Sequence, residues 1–310
     1  MTGPGAPFCS APTIEPSTRA ASSPFLHHDK ATPMKASVLT RTLAAVAFGA
    51  LALHASFAAA QSANAKRTLN VAIVPNYPPF EYKDPATDKL AGFDVDLGEA
   101  LAAKMGAKLN WVETSFDQMM SAVATQRVDM ILSGMTDLPT RRDAVTFVDY
   151  IETGPQFYTL KTRAGEFAQM GALCGKRVGS SRRTSFPDNT TAWSAENCVK
   201  AGKPAIIVVG TDGSSDARMQ LRQNRIDAAV QGGETLPYQN SLEQNAYAPV
   251  GKPFLSQYTG IGVAKRNTAL SGALTTALNQ LIADGSYQKL LAKWGLQEHA
   301  VAKAMVNGTH

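Results

Sequence analysis

The chain has 310 residues, 30 Lys+Arg against 25 Asp+Glu, a net charge of +5 and 44% hydrophobic residues. That is enough for one large domain or two modest ones, and it excludes a disulfide miniprotein, a collagen and a wholly disordered chain. A net of +5 with no run of Lys/Arg is too weak to hold nucleic acid, so no nucleic-acid partner is expected.

Residues 1–33 are rich in Pro, Ser, Ala and Thr without periodicity, as in a disordered N-terminal extension or a start placed too early. From Met34, the bases Lys35 and Arg41 precede an uncharged run over 42–60 that ends Ala58-Ala59-Ala60 before Gln61. This reads as a signal peptide over 34–60, cleaved near Ala60, with export to the periplasm. A membrane anchor is the alternative; the Ala-rich run with His54 and its cleavage pattern favour the signal peptide. Of the three Cys, Cys9 is removed with this leader, while Cys174 and Cys198 remain as an even pair in an exported chain. A disulfide between them is expected, worth roughly 3 kcal/mol in the chain-entropy account. No His lies near either Cys, so neither a metal site nor any other cofactor is expected.

In the mature chain, 69–74 is a β run stopped by Pro75. Phe93, Leu97, Leu101 and Met105 make a helical stripe that Gly106 ends. A strand is expected over 108–112. Ser115-Phe116-Asp117-Gln118 has the spacing of a capping box opening a helix, and 128–132 is a buried strand. This β-α-β-α-β order predicts a parallel sheet with helices on its faces. After an extended stretch over 156–161 comes a second unit: strands over 176–180, 205–209 and 226–230, with helices after Ser185, over 215–223 and over 234–242. Then 258–264 is extended again. Leu270, Leu274, Leu278 and Leu281 stripe a helix stopped by Asp284-Gly285, and 287–294 form another. The expected organisation is lobe one over 61–156, lobe two over 157–257, a return to lobe one over 258–297 and a loose tail over 298–310. Two extended crossovers would join the lobes as a hinge. Ligands of open α/β sheets sit beyond the carboxyl ends of the strands, so a cleft between the lobes is the expected site.

Ser133-Gly134-Met135-Thr136 and Arg141 follow the third strand. Backbone N–H groups with the Ser133 and Thr136 hydroxyls suit an anion, and Arg141 offers a planar fork for a carboxylate. The bland alternative is Arg141 paired to Asp137 or Asp143. Tyr77 and Phe116 offer either aromatic walls for a ligand or plain core packing. In lobe two, Arg183 and Thr184 precede a helix start that favours anions. Gln231 and Glu234 end another strand, and Glu234 either complements the next helix dipole or faces the cleft to receive a cation. All five His (His27, His28, His54, His299 and His310) fall in the leader or tail, which argues against a His-based catalytic site.

Tyr77-Pro78-Pro79-Phe80-Glu81, Gly92-Phe93-Asp94-Val95-Asp96-Leu97, Val128-Asp129-Met130-Ile131, Ser133-Gly134-Met135-Thr136 with Arg141, and the closing Asp284-Gly285 and Lys293-Trp294-Gly295 stand in order over about 66–296. Together they resemble the family 3 extracellular solute-binding proteins, the polar-amino-acid receptors of ABC importers. The resemblance implies a two-lobed α/β fold of periplasmic-binding-protein type II, a small carboxylate ligand and an inner-membrane ABC permease as partner. It also implies that Tyr77 and Phe116 sandwich the ligand, that Ser133, Gly134, Thr136 and Arg141 hold its α-carboxylate, and that Thr184 adds a donor. Two positions depart from the pattern: Arg183 stands where the family has Gly, and Gly232 where it has an ammonium-binding Asp. Either Glu234 replaces that Asp from two positions away, or the ligand lacks an amine. Arg183 opposite Arg141 favours a ligand with two acidic groups or a carboxylate without ammonium.

The leading expectation is therefore a binding protein, not an enzyme, that closes as a monomer on an amino-acid-like carboxylate. The alternatives are a non-amino organic acid as ligand, or an exported dehydratase of the cyclohexadienyl or arogenate type on the same fold. A sensor module would carry downstream transmembrane and signalling segments.

Overall fold

The computed structural model describes residues 67–308; the extension 1–33, the signal peptide over 34–60, its cleavage near Ala60 and Cys9 lie outside the described residues. The first apolar run forms β1 (Thr68–Ile73), whose side chains alternate between two hydrophobic clusters. Leu69 and Val71 join one and Ala72 the other. Parallel partners flank it: β5 (Lys108–Glu113) on one side and β6 (Met130–Ile131) on the other. The crossover helices lie on opposite faces. Helix α1 (Phe93–Met105) buries Phe93, Leu97 and Leu101 with Leu69, and α2 (Phe116–Ala124) buries Met119, Ala122 and Val123 with Ala72. Between β1 and α1 the chain folds a small sheet of β2 (Asn76–Tyr77), β3 (Glu81–Lys83) and β4 (Leu90–Ala91).

The front sheet is completed by β7 (Val145–Thr153), β13 (Gln257–Ala264) and β14 (Met305–Val306), in the order β14-β7-β13-β6-β1-β5. Helices α6 (Thr268–Ala283) and α7 (Ser286–Trp294) pack with α1. The back sheet runs β10-β9-β11-β8-β12. Its strands are β8 (Pro155–Leu160), β9 (Arg177–Ser181), β10 (Ile207–Thr211), β11 (Ala228–Gly232) and β12 (Tyr247–Val250). Strands β9, β10 and β11 are parallel; β8 and β12 are antiparallel to their neighbours. Helices α3 (Phe186–Ser194), α4 (Ser214–Arg222) and α5 (Leu236–Leu242) belong to this lobe. The protein is a two-lobed mixed α/β fold.

The chain crosses between sheets from β7 to β8 and from β12 to β13. These passages run side by side: Phe254 N–H donates to Pro155 O at 3.1 Å, and the Ser256 hydroxyl bonds the Glu152 carboxylate. Gly154 permits the close approach, since a Cβ there would stand 2.2 Å from Leu255 O. The crossings are thus shorter than the extended runs expected to form them, most of which are strands inside one sheet or the other.

Three expectations need correction. Residues 298–308 are not a loose tail: Val301 and Ala304 are buried and β14 pairs antiparallel with β7. The Ser115 side chain makes no capping hydrogen bond; only its carbonyl accepts, from Gln118 N–H at 2.9 Å. Strands expected over 205–209 and 226–230 sit two residues later, as β10 and β11. Cys174 and Cys198 are joined in a disulfide, with 5.5 Å between Cα atoms.

Candidate functional site

A cavity of about 340 Å³ lies where the carboxyl ends of both sheets face each other. Its front wall comes from the ends of β1 and β6 and the start of α2: Val74, Asn76, Tyr77, Phe116, Gly134 and Thr136. Its back wall comes from the turn after β9, which carries Arg183 and Thr184, from the turn after β10, and from Gln231 in β11. A second, much smaller space shares Tyr77, Gly134, Thr136 and Phe186 with it and adds Glu234 and the hinge residues Thr153 and Gly154.

Arg141 lines the cavity without pairing to either acid expected as its alternative partner. Asp137 is taken bidentately by Arg142 at 2.7 and 2.8 Å. Arg141 donates Nη1 to Thr136 O at 2.7 Å, and its guanidinium lies 5.7 Å from the Phe116 ring centre. Burial presses its pKa downward. A guanidinium so placed is costly until an anion meets it.

Several expected donors are spent elsewhere. The Gly134 N–H, at φ 54°, donates to Asp94 Oδ2 at 2.8 Å. The Ser133 hydroxyl accepts from Val74 N–H and donates to Glu81 Oε1 at 2.9 Å. Thr184 turns its N–H and its hydroxyl to Ser181 O. The Met135 side chain lies in the core beside Met119 and Phe147, away from the cavity. Of the donors expected for an anion, Arg141 and Thr136 line the front wall, and behind them lies a buried carboxyl pair. Burial raises the pKa of Glu81, with a further push from Asp94, and burial likewise raises Asp94 against its bonds from the Tyr150 hydroxyl and the Gly134 amide. Two such neighbours do not both ionise.

Glu234 is buried at the hinge side. The Tyr77 hydroxyl, itself accepting from Gly232 N–H at 3.2 Å, lies 3.4 Å from Glu234 Oε1, while Oε2 has no protein partner. Burial lifts its pKa to about 7, restrained by N–H groups of Glu234 and Gly154 and by the Tyr77 hydroxyl. A Cβ built on Gly232 would fall 1.8 Å from Glu234 Oε1. The Glu234 carboxyl thus fills the space that a side chain at position 232 would enter. Gly232 leaves room for it. Glu234 lines the small space with Tyr77 and Gly134, and it also stands in the first turn of the 3-10 segment Gly233–Thr235 that leads into α5.

Residues of the wall that sequence reasoning did not place there include Asn76, Ser115 and Phe186, while Ser185 belongs to the Arg182-Arg183-Thr184-Ser185 turn that the sequence marks as suited to an anion. Phe186 follows the Arg-Arg-Thr-Ser turn directly, which was the available signal.

Over residues 69–297 the chain matches the model of the bacterial extracellular solute-binding proteins, family 3. It belongs to that family. An L-arginine-binding protein of Pseudomonas aeruginosa is 30% identical over 253 residues, 79% of this chain and 94% of that protein. Among solved structures, an ancestral arginine-binding protein bound to arginine superposes with a TM-score of 0.65 at 29% identity, covering 74% of this chain and 98% of the other. An ancestral amino acid-binding protein described as a precursor of cyclohexadienyl dehydratase gives 0.63 at 28%, covering 73% and 95%. As a family 3 protein, the chain is to be read as a solute binder of the class its relatives form.

Proposed function

We propose that this protein is the periplasmic substrate-binding component of an ABC importer, a monomer that closes its lobes on an amino-acid-like small carboxylate and presents it to an inner-membrane permease. The observation that carries this reading is a pair of opposite charges without ionic partners in two spaces that share Tyr77, Gly134, Thr136 and Phe186: the Arg141 guanidinium in the larger and the Glu234 carboxyl in the smaller, at the hinge. An α-amino acid offers the complementary pair, a carboxylate for Arg141 and Thr136 and an ammonium for Glu234. Tyr77 and Phe116 flank the ligand as aromatic walls. Arg183 and Gln231 complete the back wall, with Thr184 holding its turn. A ligand touching both walls favours the closed arrangement, because only there are both sets of contacts made. Family membership supports the same reading, since the relatives named above bind amino acids.

The test is titration calorimetry on the mature chain with a solute found by thermal-shift screening of amino acids, dicarboxylates and keto acids. Arg141→Ala is expected to weaken binding by about 3 kcal/mol, roughly 100-fold. Unchanged affinity would remove the head-group assignment.

A second reading rests on Glu234 alone. A carboxyl held near pH 7 beside a tyrosine hydroxyl has the protonation range of a general acid. Incubation with prephenate or arogenate separates the two, and the binding-protein reading expects no aromatic product.

A further inference from the structure

The end of the cavity away from Glu234 is built by the back lobe. Two nine-residue helices begin there, α3 after Ser185 and α4 after Gly213; at the start of α3 the Thr184 hydroxyl accepts from Phe186 N–H at 3.2 Å and Pro187 has no N–H, whereas the start of α4 has no side-chain cap. Ser185, Gly213 and Ser214 all line the cavity. Helix starts leave backbone N–H groups unsatisfied and carry partial positive charge. Ser185 is 7% exposed, and its hydroxyl has no protein partner. Arg182 and Arg183 line the same end. Arg182 is engaged by Gly210 O at 3.0 Å and Asp212 at 3.2 Å. Arg183 reaches Asp117 of the opposite lobe at 3.2 Å, but both side chains are well exposed, at 67% and 42%. Such a pair is weak and yields readily to a better-desolvated anion.

Charge accounting points one way. The acids lining the cavity are Glu81, whose pKa burial raises, and Asp212, which pairs with Arg182 at 3.2 Å, an exposed pair like that of Arg183 and Asp117. An amino-acid head group satisfies Arg141 and Glu234 together. What remains is Arg183, whose partner Asp117 does not line the cavity, the uncapped start of α4 and the Ser185 hydroxyl. We infer that this end is a second anion subsite, and that the solute is an amino acid whose side chain ends in a carboxylate. A cationic side chain, such as the one the arginine-binding relatives are named for, would meet like charge here.

This rests on the head-group reading above, and the experiment separates the two. Calorimetry on the mature chain compares L-aspartate, L-glutamate and L-2-aminoadipate with L-asparagine, L-glutamine and L-arginine. The best acid is expected to bind at least about tenfold tighter than its amide or than arginine, the scale of one charge-assisted hydrogen bond. Ser185→Ala with Arg183→Met should bring acid and amide within about twofold of each other, whereas Arg141→Ala should weaken both alike and keep the gap between them. Amides or arginine binding as tightly as the acids would overturn the subsite and leave the head-group reading standing. If no amino acid of the panel binds, both fall.

Discussion

At the scale of single residues, Glu234 sets the pH dependence. Its folded pKa, about 7, stands above the ordinary 4.5 because burial penalises the anion. Below pH 7 it gains a proton, and on the proposed head-group reading it then loses its hold on an ammonium, so affinity should fall roughly tenfold or more from pH 8 to pH 5.5. Calorimetry across that range checks this, and Glu234→Gln should flatten the curve. The stability of the ligand-free protein runs the opposite way. A raised carboxyl stabilises the fold below about pH 4.5, and the contribution is lost as pH climbs through 7. The buried anion costs roughly 3 kcal/mol at pH 8, so Glu234→Gln should there raise Tm in the absence of solute. That Arg141, Tyr77 and Phe116 stand at the cavity wall was legible in the sequence, because strand ends and helix starts announce themselves locally. The loss of Gly134 and Ser133 as ligand donors was not. Their partners, Asp94 and Glu81, lie 40 and 52 residues away, and only the folded chain decides which acceptor a donor meets.

Among elements, the paired crossings decide how the lobes move. Gly154→Ala would drive a methyl to within 2.2 Å of the Leu255 carbonyl. Relieving that overlap is expected to cost about 1–3 kcal/mol and lower Tm by roughly 5 °C, measurable by calorimetric melting. A variant that melts like the parent would show that the crossings are not held together as described. Helices α1 and α6 were plain from their apolar stripes. Strand β7, nine residues long, was missed because Asp149 interrupts its apolar run. That aspartate is buried and accepts from Gly308 N–H at 2.7 Å, a bond that nothing local in the sequence foretells. Strand β14 was hidden for the same reason: two residues signal a strand only when an edge awaits them.

Across the whole molecule, lobe closure does not depend on the cavity alone. Outside it, Tyr238 of the back lobe meets Tyr82 and Trp294 of the front lobe at ring separations of 5.9 and 6.3 Å. Nearby, Gln239 Nε2 donates to Pro78 O at 3.2 Å. None of these side chains lines the cavity. Aromatic pairs contribute about 0.5–1.5 kcal/mol each, so Tyr238→Ala should weaken binding roughly three- to tenfold by disfavouring the closed arrangement. Solution scattering should register a larger radius of gyration for the ligand-free variant; the parent value with parent affinity would refute the clasp.

The short strand β14 has a further consequence for the outer margin of the front sheet. It covers the free side of β7 at Val148 and Asp149, while Asn307 takes the Phe147 amide through its side chain. A chain cut before Val301 would bare those backbone groups on the longest strand of the molecule. An open, apolar β margin of this kind recruits strands from neighbouring chains. The last turns of sequence thus keep a solute carrier from becoming a seed for self-association.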